Sequence, residues 1–598
     1  MKHLFALSLA ACCLAITSCS GPVQQTQEAP TTEPVVTAQE PAAATPAPEA
    51  TASATPADPS PVPSTKPADE PTDSPYDIKP LEPGVDGDWL ISRLAVEPAH
   101  MNPLHDTADA YVARITYARQ DIFECLLERN NVTLDYEPSV AESFEISDDH
   151  LTYTFHIRKN VVFSDGTPLT ANDVKFTIDT IRDPKNETAD LRNYFNDVES
   201  ITMPDDYTVV IKCKQPYFLH LATFGDMPIL PKHIYGEGDF NNHPNMRNPI
   251  GSGPYLFDSW STNQEIVLVR NENYWNKENL PHLKRYVYKI ITDDSVAFQA
   301  LLSKNLDLIP LTPEQWVNRT DEPEFLANFD KRSYYGASGY VGGLQYIGWN
   351  MRKPMFSDKR VRQALTMLLN RQEILDTIFY GLGKVVSGNA FSESIDYDKS
   401  IAPWPFDPAA ANKLLDDAGW STRNSEGIRT KDGAAFQFEF MFPPNSPEVE
   451  QMATVFQEEL QRAGIKMTIR PIEWATFLEY ITKREFDAVT LSWAIPPDSD
   501  PFQLWHSTQT EKGSNYPGFN NPEADKIIED ARLEFDKFKR AEMYHRLHAI
   551  LHDEQPYTFL FSRKALAALD KRFRNVNVYP LGPTAREWFV PAELQRYK

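Results

Sequence analysis

From Trp89 to the C-terminus, short runs of strand character take turns with amphipathic stretches, and no period of 20 to 50 residues repeats. That alternation restricts the chain to layered α/β domains and argues against a solenoid or a propeller. Trp89-Leu90-Ile91 opens it as a strand. A polar, proline-containing loop follows through Glu97-Pro98 to Asn102-Pro103, and then an amphipathic stretch from Tyr111 to Leu127 that predicts a helix. In Leu151-Thr-Tyr-Thr-Phe-His-Ile157 apolar and polar residues alternate, the period of a strand with one buried face. Asp165-Gly166-Thr167-Pro168 marks a turn, and Thr170-Ala171-Asn172-Asp173 has the spacing of a capping box that starts a helix through Ile181. Further helices are predicted at 295–302, 359–379, 408–418, 447–463 and 523–553.

The region before this body cannot fold in the same way. Residues 20–75 hold 13 prolines, eight acidic residues and one lysine, and they read as an extended spacer without a core. Ahead of the spacer, Lys2 and His3 precede an apolar stretch from Leu4 to Ile16, the pattern of an export signal over residues 1–18. It ends in Ile16-Thr17-Ser18-Cys19, which resembles the bacterial lipobox, so Cys19 is expected to carry lipid and to hold the chain at the cell envelope, on a periplasmic or extracellular face. Ser20 stands where an aspartate would signal retention at the inner membrane. The remaining body stays acidic. Of the formal net charge of -26, the leader contributes +1 and residues 20–75 contribute -7, which leaves -20. That balance argues against nucleic acid as a partner. Cys125 and Cys213 are the cysteines left in the body, so one disulfide is possible and none is required.

A resemblance enters with the segment that runs from Glu137-Pro-Ser-Val-Ala-Glu-Ser-Phe144 to Phe163-Ser-Asp-Gly-Thr-Pro-Leu-Thr-Ala-Asn-Asp-Val174. It resembles the signature of the family-five extracellular solute-binding proteins, the oligopeptide, dipeptide and nickel group of ABC importers. Further motifs follow in that family's order: Asn248-Pro-Ile-Gly-Ser-Gly-Pro-Tyr255, Arg270-Asn-Glu-Asn-Tyr-Trp275, Val361-Arg-Gln-Ala-Leu365, and Asp407-Pro through Gly419-Trp420. The resemblance implies a type II periplasmic-binding-protein fold, an α/β architecture of two lobes with a hinge plus an extra domain. Lobe I is expected at 84–130, 247–343 and 565–598, the extra domain at 131–246, and lobe II at 344–564, after a lipidated N-terminus and linker at 19–83. The hinge is expected near 340–349 and 561–565. It also implies a monomer without cofactor or catalytic residues, which captures a peptide or other small solute and delivers it to ABC permease and ATPase subunits.

The resemblance points to ligand residues but departs from the family's pattern there. Peptide-binding members place an aspartate three residues after the tryptophan that matches Trp493, and here that position is Pro496. Asp498 is then the candidate amine anchor, or else a turn-forming aspartate, and Asp500 before Pro501 reads as a turn residue. Trp493 and Trp505 are candidate stacking surfaces, and Glu97 and Pro98 lie in the loop that lines the cleft in relatives. Arg360, Arg362 and Arg371 read as a solvated helix face. Gly251 and Gly253 read as a tight turn. The carriers of common enzyme chemistry are missing: no G-x-S-x-G, no phosphate-binding G-x-x-x-x-G-K-[ST], no H-E-x-x-H and no C-x-x-C. His545, His548 and His552 share a helical spacing, but they flank an apolar row and read as a helix flank rather than metal ligands.

Overall fold

The computed structural model describes residue 76 and residues 78–597 apart from 109, 337–342 and 445. The export signal, Cys19 and the proline-rich spacer therefore lie outside the described residues, as does part of the first expected hinge segment. Among the described residues no helix is long and apolar enough to cross a membrane.

The alternating segment forms the strand Thr152–Ile157, whose residues are buried at every second position. It is an inner strand of a four-stranded antiparallel sheet with Ala141–Ile146, Thr208–Cys213 and Val198–Asp205. The helix Ala171–Arg182 closes one face of that sheet with Val174, Ile178 and Ile181, and it starts at a capping box in which Asp173 accepts the backbone N–H of Thr170 at 2.9 Å.

Two larger sheets make up the rest. The first has seven strands, in the order 329–334, 565–570, 308–310, 89–94, 285–290, 265–270 and 255–261. Its strands come from three distant stretches of chain. The second has five strands, in the order 466–471, 437–442, 488–493, 344–349 and 557–559. The chain thus passes between these sheets twice, once through residues 335–343 and once through 560–564.

Three predicted helices come out differently, each for a local reason. The stretch 111–127 is helical only over Ala110–Thr116. Beyond it, Gln120 turns to positive φ, and the carbonyls of Asp121 and Ile122 accept N–H groups of Tyr255 and Gly253 from a distant strand. That pairing explains the glycines as well. A Cβ on Gly251 would sit 2.0 Å from the Ile122 carbonyl oxygen, so Gly251 permits close backbone approach rather than simply making a turn. The stretch 359–379 divides into Lys359–Met367 and Arg371–Thr377, with Asn370 capping the second helix. The stretch 523–553 divides into Pro522–Arg532 and Lys537–Glu554, where Asp536 accepts the N–H of Phe538 at 2.9 Å.

Two of the three arginines expected on a solvated face are buried instead. Arg362 donates to the carbonyls of Glu554 and Phe356 at 2.9 and 2.7 Å and pairs with the Glu554 carboxylate. Arg371 donates to the carbonyls of Phe559 and Trp404. Arg362 ties its helix to the end of the helix Lys537–Glu554 and Arg371 locks its own onto the strand that ends at Phe559, whereas Arg360 stays exposed beside Asp358. Cys125 and Cys213 are buried free thiols.

At one end of the seven-stranded sheet lies a buried ion network. Arg572, 4% exposed, meets Asp88 at 3.1 Å, Asp570 at 3.3 Å and both oxygens of Asp307, while Arg596 reaches Asp570 at 2.5 Å. Replacing Arg572 by Met leaves three buried carboxylates without their shared cation. The variant is expected to lose about 3 to 5 kcal/mol of stability in denaturant unfolding. A loss below about 1 kcal/mol, the scale of an exposed pair, would show that the network does not hold the sheet.

Candidate functional site

The two passages between the large sheets bring aromatic residues together. Trp493 ends its strand opposite Leu344, the first residue of the strand that follows the first passage. Its indole N–H donates to the Tyr557 hydroxyl at 3.1 Å. The rings of Tyr346 and Tyr516 lie nearly parallel to it at 6.1 Å, with interplanar angles of 11° and 9°. Tyr346 in turn stacks on Tyr557 at 3.7 Å. Trp493 is therefore part of a fixed aromatic wall, oriented by a hydrogen bond at its edge. Trp505 belongs to the same cluster but is wholly enclosed, edge-on to Tyr557 at 4.6 Å and to Phe519 at 6.0 Å. The expectation of a stacking surface at Trp505 is corrected here, because core packing occupies its faces.

Beyond Trp493 the loop carries Asp498 and Asp500 into contact with the N-terminal half of the chain. Asp498 accepts from Arg129 Nη1 at 2.7 Å. Arg129 also approaches Asp226 at 3.5 Å and packs over the Tyr136 ring, and the Tyr136 hydroxyl donates to Asp226 at 2.5 Å. Burial pushes the Asp226 carboxyl up and Arg129 pulls against it, yet 48% of the Asp226 side chain remains accessible. Asp500 accepts the Phe502 N–H at 3.0 Å, a local turn bond. It also accepts from Tyr217 at 2.8 Å and pairs with Arg532 at 3.0 Å. His150 stacks on Phe535 at 3.6 Å, and Lys537 pairs with Asp135 at 2.7 Å. These contacts tie residues 129–218 to residues 498–537.

Next to Asp498 lies Asp396, a residue that the sequence did not single out. Burial, with the negative charge of Asp498 adding to it, raises its carboxyl to about 6 against the opposing pull of Arg540 and His545. The buried Tyr544 hydroxyl, whose surroundings include Asp396 and Asp500, has no hydrogen-bond partner. Nothing in the local sequence marks Asp396, Arg129 or Asp226, since each acquires its role from elements more than 90 residues away.

The loop after the first strand is built differently from expectation. The Glu97 carboxylate accepts from the Trp260 indole at 2.7 Å and from the Asn263 N–H at 3.1 Å, and Pro98 is buried. These two residues fasten the loop to the hairpin 255–270. Glu97 has its oxygens engaged within the protein.

One histidine of the spaced trio calls for comparison with a nucleophile pair. His548 Nε2 lies 3.0 Å from Ser387 Oγ, and its Nδ1 accepts the Asp398 N–H at 3.3 Å. With Nδ1 an acceptor, the proton resides on Nε2, which donates to Ser387 and cannot take its proton. Burial lowers its pKa to about 4, so the ring stays neutral. This is a structural pair.

Known proteins share both the sequence and the architecture. A family model, bacterial extracellular solute-binding proteins, family 5, matches residues 135–515. The oligopeptide-binding protein AppA of Bacillus subtilis is 30% identical over 513 residues, covering 83% of this chain and 90% of that protein. Its solved structure in complex with a nonapeptide superposes with a TM-score of 0.69 at 28% identity, covering 85% of this chain and 100% of that one. Heme-binding protein A of Haemophilus influenzae is 27% identical over 492 residues, covering 77% of this chain and 85% of its own length. The two sheets, between which the chain passes twice, are those of a type II periplasmic binding protein; the chain belongs to the family 5 bacterial extracellular solute-binding proteins.

Proposed function

We propose that this protein is the peptide-capturing subunit of an ABC importer. Lobe I (84–130, 247–343 and 565–598) and lobe II (344–564), with the extra domain 131–246, enclose the peptide and present the closed form to a membrane permease whose ATPase subunits supply the energy. Closure is a hinge motion at the two passages, and ligand shifts an existing equilibrium toward the closed form. No bond is broken. The observation that carries this reading is the superposition, over the full length of the oligopeptide-binding relative, onto a structure that holds a nonapeptide. The chemistry of the space supports it: an aromatic wall at Trp493 for side chains, and a negative pole at Asp498 and Asp396 for the α-ammonium group. Asp498 gives one oxygen to Arg129 and keeps the other for the amine.

The anchor is proposed at Cys19, with the spacer holding the body away from the membrane face of the envelope. Labelled palmitate is expected on the wild type and to be lost in Cys19→Ala. Label that persists in the variant would remove the anchor from that residue.

Calorimetric titration of the purified protein with unmodified pentapeptides tests the substrate class, and heat from heme, nickel chelates or sugars alone would overturn the peptide reading. The pH dependence tests the negative pole. In the free protein the Asp396 carboxyl is raised to about 6 by burial, and a bound ammonium favours its ionised form. Affinity should therefore be level above pH 7 and weaken as pH falls through 6. The loss should reach about tenfold at pH 5, with protons released on binding in that window. Asp396→Asn should bind more weakly at pH 7 and lose the pH dependence. If Asp396→Asn keeps the full pH dependence, the amine does not sit there.

Arg129→Ala should loosen the tie between Asp226 and Asp498. The ligand-free variant is then expected to show a larger radius of gyration by small-angle scattering than the wild type. An unchanged radius would show that other contacts hold the mouth shut.

A further inference from the structure

Among the described residues Arg114 has no ion-pair partner. It lies on the helix Ala110–Thr116 and reaches over the seven-stranded sheet at the register pair Ser92 and Tyr288. Its Nη2 is 3.4 Å from Ser92 Oγ, a weak contact, and its guanidinium stands 5.8 Å from the centre of the Tyr288 ring. The other groups around it are Tyr111, Tyr334 and a second cation, Arg119. Among the described residues no carboxylate lies within ion-pair distance of Arg114. Arg119, by contrast, is satisfied by Asp121 at 2.7 Å and by the Tyr288 hydroxyl at 2.9 Å. Burial pulls the Arg114 guanidinium below its ordinary value, but part of its side chain remains accessible.

The position fits a ligand contact. Tyr334 ends the strand from which the chain leaves this sheet for the other, and it pairs with Ala565, where the chain returns. Arg114 therefore lies on the sheet face beside the two passages. A desolvated guanidinium without an anion is unfavourable in the empty protein. It presents a planar fork of donors that matches a carboxylate.

We infer that Arg114 anchors a carboxylate of the bound ligand, at the opposite pole of the site from Asp498 and Asp396. The inference rests on the peptide reading above for the identity of that carboxylate, which is either the C-terminus or an acidic side chain. A ligand carboxylate here gives a zwitterionic peptide two fixed ends and gives Arg114 its missing counter-ion.

The test compares wild type with Arg114→Gln and Arg114→Lys. The probes are randomised pentapeptide pools as free acids, as C-terminal amides, and as amides without Asp or Glu, with bound peptide measured by mass spectrometry after gel filtration. For a terminal carboxylate, the wild type should retain free acids at least tenfold better than amides, and Arg114→Gln should lose that preference while binding amides as the wild type does. For an acidic side chain, the wild type should retain Asp- and Glu-containing amides over the depleted pool, again only with Arg114 intact. Arg114→Lys should recover part of either preference. Equal retention of every pool by wild type and Arg114→Gln would overturn the inference, and so would an equal loss for all pools. If the wild type retains no peptide at all, the peptide reading fails by itself. Glutamate and succinate then become the probes: a melting shift in the wild type that is missing in Arg114→Gln upholds the anchor, and no shift in the wild type overturns it. Ligand-free Arg114→Gln should melt no lower than the wild type, because it loses an unpaired buried charge. A clearly lower melting temperature would make Arg114 a structural residue and end the proposal.

Discussion

The arrangement depends on one guanidinium. Arg572 holds Asp88, Asp307 and Asp570 in a buried cluster, and those aspartates sit at the start, the middle and the end of the folded body. A sheet whose strands come from such distant segments has a large loop-closure cost, and contacts local in sequence cannot meet it. Three carboxylates and one cation that have left water remain stable only when all are present, so the cluster makes the sheet an all-or-none assembly. The C-terminus joins the same cluster through Arg596, and Tyr597 stacks on Trp89 at 4.5 Å.

With that sheet closed, the chain must leave it and return, and the two passages at 335–343 and 560–564 follow from the strand order. In the proposed function the two sheets move against one another about these passages, and the ligand lies between them. The contrast between two sets of charges in the molecule is informative. Arg362, Arg371 and Arg572 have several acceptors each and hold structure together. Among the described residues Arg114 has no carboxylate within ion-pair distance, and the Tyr544 hydroxyl has no hydrogen-bond partner. A protein that binds a charged solute has a physical reason to leave such groups waiting.

Much of the local structure was legible. The alternation at 152–157, the capping box at Thr170 and the helix Pro447–Ala463 each express a rule that operates within a few residues. The errors were also local in form but distant in cause. The predicted helix at 111–127 stops at Thr116 because the Thr116 carbonyl accepts the N–H groups of Ile122 and Phe123 after Gln120 turns to positive φ, and the carbonyls of Asp121 and Ile122 are taken by Tyr255 and Gly253. Arg362 and Arg371 were read as solvated because a charged residue on an amphipathic helix usually is. They are buried because the turn after Glu554 and the strand at Phe559 supply carbonyls that no local pattern announces. Trp505 was read as a stacking surface from its residue type, and the packing of Tyr557 and Phe519 leaves it no open face.

The sequence by itself determined the class of the molecule: an acidic α/β body after a proline-rich segment, whose ordered motifs resemble one family of solute-binding proteins. Those features rest on composition, short-range periodicity and linear motifs, which survive without knowledge of what touches what. Tertiary structure alone decided which charges are satisfied and which are not. Asp498 meets Arg129 from 369 residues away, and among the described residues Arg114 meets no carboxylate, because charge compensation is a property of distances in space.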